Sequence, residues 1–290
     1  MRRNLFLTSV LALTSVMSLA SCGGSTSSKL KIVRFDQTIL GDSAKDLGVS
    51  IGVKKGNTDL LNRVNEALNN LSNDTRNTLM TEATARSNES SAASTLNYTA
   101  LEGQTETIRI GLECDYAPFN WTDTSKNDYN YPIKGTSFYA DGYDIQIGKY
   151  LSSTLKCNLE VVKLDWEALI PALETDTIDL VIAGMTDTEE RRKSIDFTSE
   201  YYRSELVLVV REDSKFASAT SLTDFKGAKI VSQVSTVTDD VIENWVEQFG
   251  VTHLSAMDTF STCALAVQNN SADAMTAELP VATSIVNGSN

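Results

Sequence analysis

The 290-residue sequence is poor in histidine, cysteine and basic side chains, with one histidine, four cysteines and 25 basic against 38 acidic residues. A single histidine, His253, excludes metal sites built from several histidines, and we expect no metal or cofactor. The formal net charge of −13 argues against nucleic acid or an anionic lipid surface as a partner, because both are polyanionic. What remains is an ordinary globular composition, long enough for two lobes with separate cores.

A long apolar run occurs only near the start, where two arginines precede residues 5–19 and the motif Leu19-Ala20-Ser21-Cys22 follows. The run is short for a membrane span and ends in small residues, which predicts a signal peptide over residues 1–21. The motif resembles a bacterial lipobox. This resemblance implies cleavage before Cys22, a lipid on its sulfur and a tether over residues 22–28, on the outer face of the cytoplasmic membrane. An ordinary secretory leader is the alternative.

The remaining cysteines, Cys114, Cys157 and Cys263, match no metal-site spacing. Because three cysteines cannot all pair with one another, at least one is expected to be free. A bridge between Cys114 and Cys157 remains open.

One stretch in the middle of the chain combines features of an anion-binding site. Residues 180–183 form an apolar run typical of a buried strand, which Gly184 interrupts. Thr186 and Glu189 have the spacing of a capping box, which predicts a helix from about Thr188. Free N–H groups at such a helix start attract anions, and the guanidinium of Arg191 can bind a carboxylate through two hydrogen bonds. The alternative is that Arg191 is a solvated helix residue.

The rest of the chain alternates strand and helix patterns. Two strands and two amphipathic helices precede a polar, aperiodic stretch at 87–105, which predicts a linker. Strands and helices with short turns then alternate from residue 107 to residue 278, apart from a long polar loop predicted over residues 122–140. This alternation is typical of a parallel α/β layout.

The sequence GMTDTEERRKSIDFTSEYY, residues 184–202, resembles the segment that holds the substrate α-carboxylate in family 3 solute-binding proteins of amino-acid ABC importers. Gly142-Tyr143-Asp144 is similar to the start of that family's signature helix, although Gln146 replaces the family's usual acid. The resemblance covers nearly all of residues 29–290 except the linker. It implies an α/β, two-lobe, periplasmic-binding-protein-like (type II) fold, in which each lobe is an open, mostly parallel sheet flanked by helices.

The order of the segments departs from this family. Family members begin with the strand found here at residue 107 and end with the helices found here at residues 60–86. The family segment expected to follow residues 285–290 resembles residues 29–55, at the front of this chain. We therefore predict a circular permutation, with residues 87–105 joining the family's usual ends. The predicted units are lobe 1 at residues 46–86 and 106–205, and lobe 2 at residues 29–41 and 209–290. A truncated fragment of two tandem domains is the alternative.

The resemblance also implies a site. Gly184, Thr186, Arg191 and Thr236 would bind the α-carboxylate of an amino acid, and Glu278 would bind its ammonium where the family usually has the shorter aspartate. Tyr116 and Trp166 would flank the side chain, and Glu113 would face it, which favours a polar or cationic ligand. The predicted ligand-binding set is Glu113, Tyr116, Phe119, Trp166, Ala183, Gly184, Met185, Thr186, Arg191, Ser235, Thr236 and Glu278.

The implied function is capture of a free amino acid by closure of two lobes, followed by delivery to an ABC permease, by a monomer without catalytic residues. The first alternative is a cleft enzyme of the same fold, of the dehydratase or lytic transglycosylase type. Glu113 and Glu278 fit an acid/base role by residue type, but the sequence offers no second catalytic partner. The second alternative is an amino-acid sensor.

Overall fold

The computed structural model describes residues 28–44, 47–88 and 94–288, with the backbone alone for residues 41–44. The predicted leader, Cys22 and nearly all of the tether lie outside the described residues. The strands are β1 (Leu30–Val33), β2 (Gly48–Lys54), β3 (Thr107–Leu112), β4 (Asp115–Tyr116), β5 (Asn120–Asp123), β6 (Tyr131–Pro132), β7 (Tyr139–Asp141), β8 (Asn158–Lys163), β9 (Leu180–Val181), β10 (Ile195–Arg203), β11 (Leu206–Arg211), β12 (Lys229–Val231), β13 (Thr252–His253) and β14 (Ala274–Glu278). The α-helices are α1 (Thr58–Asn69), α2 (Asn73–Ser87), α3 (Tyr143–Leu155), α4 (Leu169–Glu174), α5 (Val237–Phe249), α6 (Phe260–Gln268) and α7 (Leu279–Gly288). Short 3-10 helices span Gln37–Ala44, Trp166–Ala168, Arg191–Lys193, Lys215–Ser218 and Leu222–Phe225.

Two five-stranded sheets organise the chain, in the orders β10-β2-β9-β3-β8 and β1-β11-β14-β12-β13. We call the part built on the first sheet lobe 1 and the part built on the second lobe 2. Each sheet is mixed rather than mostly parallel as predicted. The reason is that β2 and β11 run antiparallel to both of their neighbours, while the other pairs in these two sheets are parallel. Each of these two strands is the first one after the chain crosses from one lobe to the other. A strand entering from another lobe needs no parallel crossover connection.

The segment before the predicted linker contributes to both sheets. Strand β1 pairs along β11 at the edge of the lobe 2 sheet, and β2 lies between β10 and β9 in lobe 1. Helix α1 follows β2, with the Asn57 side chain accepting the Leu60 N–H at 3.3 Å as its cap. Leu60, Val64 and Leu68 recur at helical spacing and are buried in the lobe 1 core.

Residues 94–104, within the predicted linker, lie along helix α3. The Tyr98 N–H donates to the side-chain oxygen of Gln146 at 3.0 Å, and the Leu101 N–H donates to the hydroxyl of Ser152 at 2.9 Å. This part of the connection is thus hydrogen-bonded to lobe 1, which composition alone did not indicate.

Two details correct or complete the local predictions. The loop predicted over residues 122–140 contains most of a small antiparallel sheet, with the order β4-β5-β7-β6. Cys114, Cys157 and Cys263 are all buried and free, so the open bridge between Cys114 and Cys157 does not form. Within the described ranges, no helix has the length and apolar character needed to cross a membrane.

Candidate ligand-binding site

Strands of both lobes end at one cleft. Glu113 follows β3, Gly184 follows β9, Thr236 closes the loop after β12, and Glu278 is the last residue of β14. Open α/β sheets place ligands at such carboxyl ends of strands. The cleft is narrow, with a cavity volume of about 20 Å³. It is lined by Glu113, Tyr116, Trp166, Gly184, Thr186, Arg191, Gln233, Thr236, Val237, Phe260 and Glu278. Eight of the twelve predicted residues are in this set, which brings together chain positions more than 160 residues apart.

The other four predicted residues lie around the cleft. Phe119 is fully buried, with its ring stacked 5.2 Å from that of Tyr116. Ala183 and Met185 flank Gly184 and are buried. Ser235 lies where the two lobes touch. Phe119, Ala183 and Met185 therefore support the cleft wall from behind.

Carbonyl groups of both lobes hold Arg191. Its Nη1 donates to the backbone oxygen of Thr186 at 2.7 Å, and its Nη2 donates to that of Ser235 at 2.9 Å. Its guanidinium carbon lies 5.3 Å from the centre of the Trp166 ring, a cation–π contact. Burial lowers the Arg191 pKa to about 10, so the side chain stays charged at neutral pH.

The predicted helix from Thr188 does not form. A single 3-10 turn, Arg191–Lys193, takes its place, and the Arg191 N–H donates to the Thr188 hydroxyl at 3.2 Å. Strand β10 begins at Ile195 and leaves too few residues for an α-helix. The surroundings of Arg191 are therefore a tight loop rather than a helix N-terminus.

Glu278 enters the cleft from lobe 2 and is 5% exposed. It accepts a hydrogen bond from the Tyr116 hydroxyl of lobe 1. Burial raises the Glu278 pKa, while the Tyr116 hydrogen bond and the charge of Arg191 oppose that rise. The Tyr116 ring also lies 4.8 Å from the ring of Phe260, a lobe 2 residue that the sequence analysis missed.

Glu113 is 6% exposed and meets lobe 2 through Gln233, whose Nε2 donates to Glu113 Oε2 at 2.9 Å. Burial raises the Glu113 pKa to about 7, and the negative charges of Asp115 and Glu278 add to the rise, while the Gln233 hydrogen bond opposes it. Gln233 was missed because nothing in its local sequence shows that it faces a carboxylate 120 residues away.

A buried hydrogen-bond network sets the positions of Gly184 and Glu113. The Gly184 N–H donates to the Tyr201 hydroxyl at 2.9 Å, and that hydroxyl donates to Asp144 at 2.7 Å. Asn120 donates to the other Asp144 oxygen at 2.8 Å and accepts the Cys114 N–H at 2.7 Å. The network therefore ties the ends of β9 and β3 together. The sequence feature that could have pointed to this network is Asp144, a carboxylate among the apolar residues at the start of α3.

Gly184 has no room for a side chain. Its φ is +61°, a left-handed conformation that favours glycine. A Cβ there would lie 2.8 Å from the Tyr116 ring and 3.3 Å from that of Phe119. The glycine lets this loop pack closely against both aromatic rings.

The lobes also contact each other directly at Ser235. Its carbonyl oxygen accepts the indole N–H of Trp166 at 3.2 Å, and its hydroxyl donates to Glu167 at 3.0 Å. Thr236 then caps helix α5 by accepting the Asp239 N–H at 3.2 Å. The loop between β12 and α5 therefore contacts four lobe 1 side chains, those of Glu113, Trp166, Glu167 and Arg191.

Two mixed α/β lobes thus place charged side chains around a shared cleft. Comparison with known families then gives the family: residues 108–277 match the model of the bacterial extracellular solute-binding proteins, family 3. The chain belongs to this family, and the predicted α/β two-lobe fold is confirmed.

Three known proteins illustrate the similarity. The arginine-binding extracellular protein ArtP of Bacillus subtilis (strain 168) is 29% identical over 141 residues, which is 49% of each chain. An ancestral arginine-binding protein, solved bound to arginine, is 30% identical with a TM-score of 0.53 and aligns with 63% of this chain and 74% of its own. The ancestral amino acid-binding protein AncCDT-1, a precursor of cyclohexadienyl dehydratase, is 28% identical with a TM-score of 0.51 over 60% of this chain and 71% of its own. The chain spans about half the length of the curated relatives it matches.

Proposed function

We propose that this protein captures a free amino acid between its lobes, without transforming it, and delivers it to an ABC permease. The observation that carries the proposal is that Arg191 of lobe 1 and Glu278 of lobe 2 line the same cleft. A buried charge without a partner costs several kcal/mol, and a zwitterion offers a carboxylate to Arg191 and an ammonium to Glu278. Closure would then depend on the ligand, through its higher affinity for the closed state.

The proposed ligand is a cationic amino acid such as arginine or lysine. Glu113 provides a third buried charge in the cleft, beyond those needed for the α-carboxylate and the α-ammonium. Trp166 adds an aromatic wall at the same place. Similarity to two proteins named for arginine binding supports the same ligand class.

The chain order supports the further proposal of a circular permutation with the lobe boundaries predicted above. The family match starts at residue 108, whereas strands β1 and β2 precede it and pair within the two sheets. The lipobox-like motif supports lipid attachment at Cys22, and a protein so anchored would meet its ligand outside the cytoplasmic membrane.

Calorimetry of the chain from residue 23 onward, refolded to remove bound molecules, against the twenty amino acids tests the function. We expect arginine or lysine to bind at micromolar strength or better, and Arg191→Ala to abolish binding. Arg192→Ala is the matched control, because Arg192 is exposed and pairs with Asp187. A folded protein that binds none of the twenty amino acids would refute the proposal.

The enzyme alternative is supported by one observation, the raised Glu113 pKa of about 7, which suits a general acid or base. The same samples separate the two hypotheses. We expect the bound amino acid to be recovered unchanged after prolonged incubation, as judged by mass spectrometry, whereas an enzyme would release a product of different mass.

A further inference from the structure

A second space, which we call the outer groove, opens from the cleft toward solvent. It has a cavity volume of about 730 Å³, and both lobes line it. Among the described residues, its charged lining consists of Glu113, Asp115, Asp165, Glu167, Asp258 and one basic residue, Lys163. The field in this groove therefore favours cations.

The cleft and the outer groove meet at Glu113 and Trp166, which line both. Of the two Glu113 carboxylate oxygens, Oε2 accepts the hydrogen bond from Gln233, and Oε1 accepts none from the residues that the structure describes. Glu113 is 6% exposed, and Oε1 is not among the fully buried, unpaired side-chain atoms of the described residues. This oxygen is therefore reached from the space at the junction, where a ligand donor can bond to it. The unpaired oxygen marks the junction as a place for a donor.

Two tryptophan side chains and four carboxylates, of which only two accept hydrogen bonds from described residues, complete the outer groove. The indoles of Trp121 and Trp166 flank it and can stack on cationic groups. Asp115 accepts a hydrogen bond from Ser261 and Glu167 accepts one from Ser235. The side chains of Asp165 and Asp258 accept none from described residues, which leaves both carboxylates to act on a ligand.

We infer that the ligand side chain passes Glu113 and continues into the outer groove, so that the protein accepts cationic amino acids extended at the side-chain nitrogen by a further cationic group. This inference rests on the proposed function, in which Arg191 and Glu278 hold the α-carboxylate and α-ammonium. The outer groove provides the space for an extension.

Calorimetry with three ligands tests the inference: lysine, ε-N-acetyl-lysine and the isopeptide ε-N-(lysyl)-lysine. Both modified ligands lose the ε-ammonium, but only the isopeptide places new positive charges beyond Glu113. We expect the isopeptide to bind at least about tenfold more tightly than the acetylated ligand. In the double variant Asp165→Asn/Asp258→Asn this difference should disappear, while lysine should bind as before.

The control is Asp128→Asn/Asp213→Asn, which changes the net charge equally at exposed sites outside the outer groove and should keep the difference. Equal binding of the two modified ligands, alongside normal lysine binding, would overturn the inference and leave the proposed function standing. So would a difference that survives in Asp165→Asn/Asp258→Asn. Failure of both lysine and arginine to bind would overturn the proposed function together with the inference.

Discussion

At the scale of single residues, each of three charged side chains of the cleft is hydrogen-bonded to neutral groups. Glu113 accepts from Gln233, Glu278 accepts from Tyr116, and Arg191 donates to two carbonyl oxygens. Such neutral partners reduce the cost of burial without cancelling the charge. The net charges therefore remain available to bind a charged ligand.

The raised Glu113 pKa predicts a pH-dependent affinity for cations. A carboxyl with a pKa of about 7 is neutral below that pH and ionised above it. Arginine binding should therefore weaken about tenfold for each pH unit below about 7 and level off above it. Calorimetry between about pH 5.5 and 8.5 measures this slope.

Two comparisons assign that slope to Glu113. The Glu113→Gln variant should bind arginine weakly at every pH, with no step near 7. Glutamine has the same α-carboxylate and α-ammonium as arginine. The pH dependence of its binding should therefore measure only the effects common to all amino acids, including those from the titration of Glu278. An unchanged slope in Glu113→Gln would place the titrating group elsewhere.

The Tyr201 hydroxyl joins Gly184 to Asp144, so Tyr201→Phe should destabilise the fold. The change leaves the buried Gly184 N–H without its acceptor, which costs about 1–3 kcal/mol of unfolding free energy. Urea unfolding measures the loss. Tyr202→Phe is the control, because no hydrogen bond of its hydroxyl is found among the described residues, and its loss should stay below about 0.5 kcal/mol. Equal losses in both variants would contradict a special role for Tyr201.

At the scale of elements, the loop between β12 and α5 joins the lobes through Ser235. Trp166→Phe keeps an aromatic ring but removes the N–H that donates to the Ser235 carbonyl. Since one hydrogen bond contributes about 0.5–1.5 kcal/mol, we expect ligand dissociation about 2- to 10-fold faster, measured by stopped-flow fluorescence.

The control for that element is Trp121→Phe. The Trp121 N–H donates to Asp123, in the same strand, so its removal breaks no hydrogen bond between the lobes in the described part of the chain. A free amino acid should dissociate from this variant at the parent rate. The same faster rate in both variants would show that loss of a tryptophan, rather than the contact between lobes, is responsible.

At the scale of the whole molecule, the rotated order predicts that the segments can be rearranged. A chain with residues 94–288 first and 28–88 second, joined by a short Gly/Ser connection, should fold and bind ligand within about threefold of the parent, because helix α7 packs beside β1. Circular dichroism and calorimetry measure both properties. Failure of this chain to unfold cooperatively would favour the truncated tandem fragment.

Deletion of residues 28–54 is the matching control. It removes β2 from between β10 and β9, which leaves β9 unpaired on one side and β10 without its partner in the described sheet. The shortened chain should not fold cooperatively. Normal ligand binding by it would show that the first two strands are dispensable, contrary to the permutation.

The sequence by itself predicted several of the elements and the charged side chains that line the cleft. Local patterns located β2, α1 and the strand before Gly184, since burial periodicity and capping act within a few residues. The family motif pointed to Arg191, Glu278 and Glu113, which all line the cleft.

Only the tertiary structure decided which groups meet across the lobes. Gln233 reaches Glu113, Tyr116 reaches Glu278, and Ser235 reaches Trp166 over separations of 69 to 162 residues. The absence of the helix predicted at Thr188 has the same origin, because the pairing of β10 with β2 overrides the local capping signal. Long-range strand pairing and burial have no signature in a short stretch of sequence, and here they fix both the shape of the cleft and the pKa values of its charges.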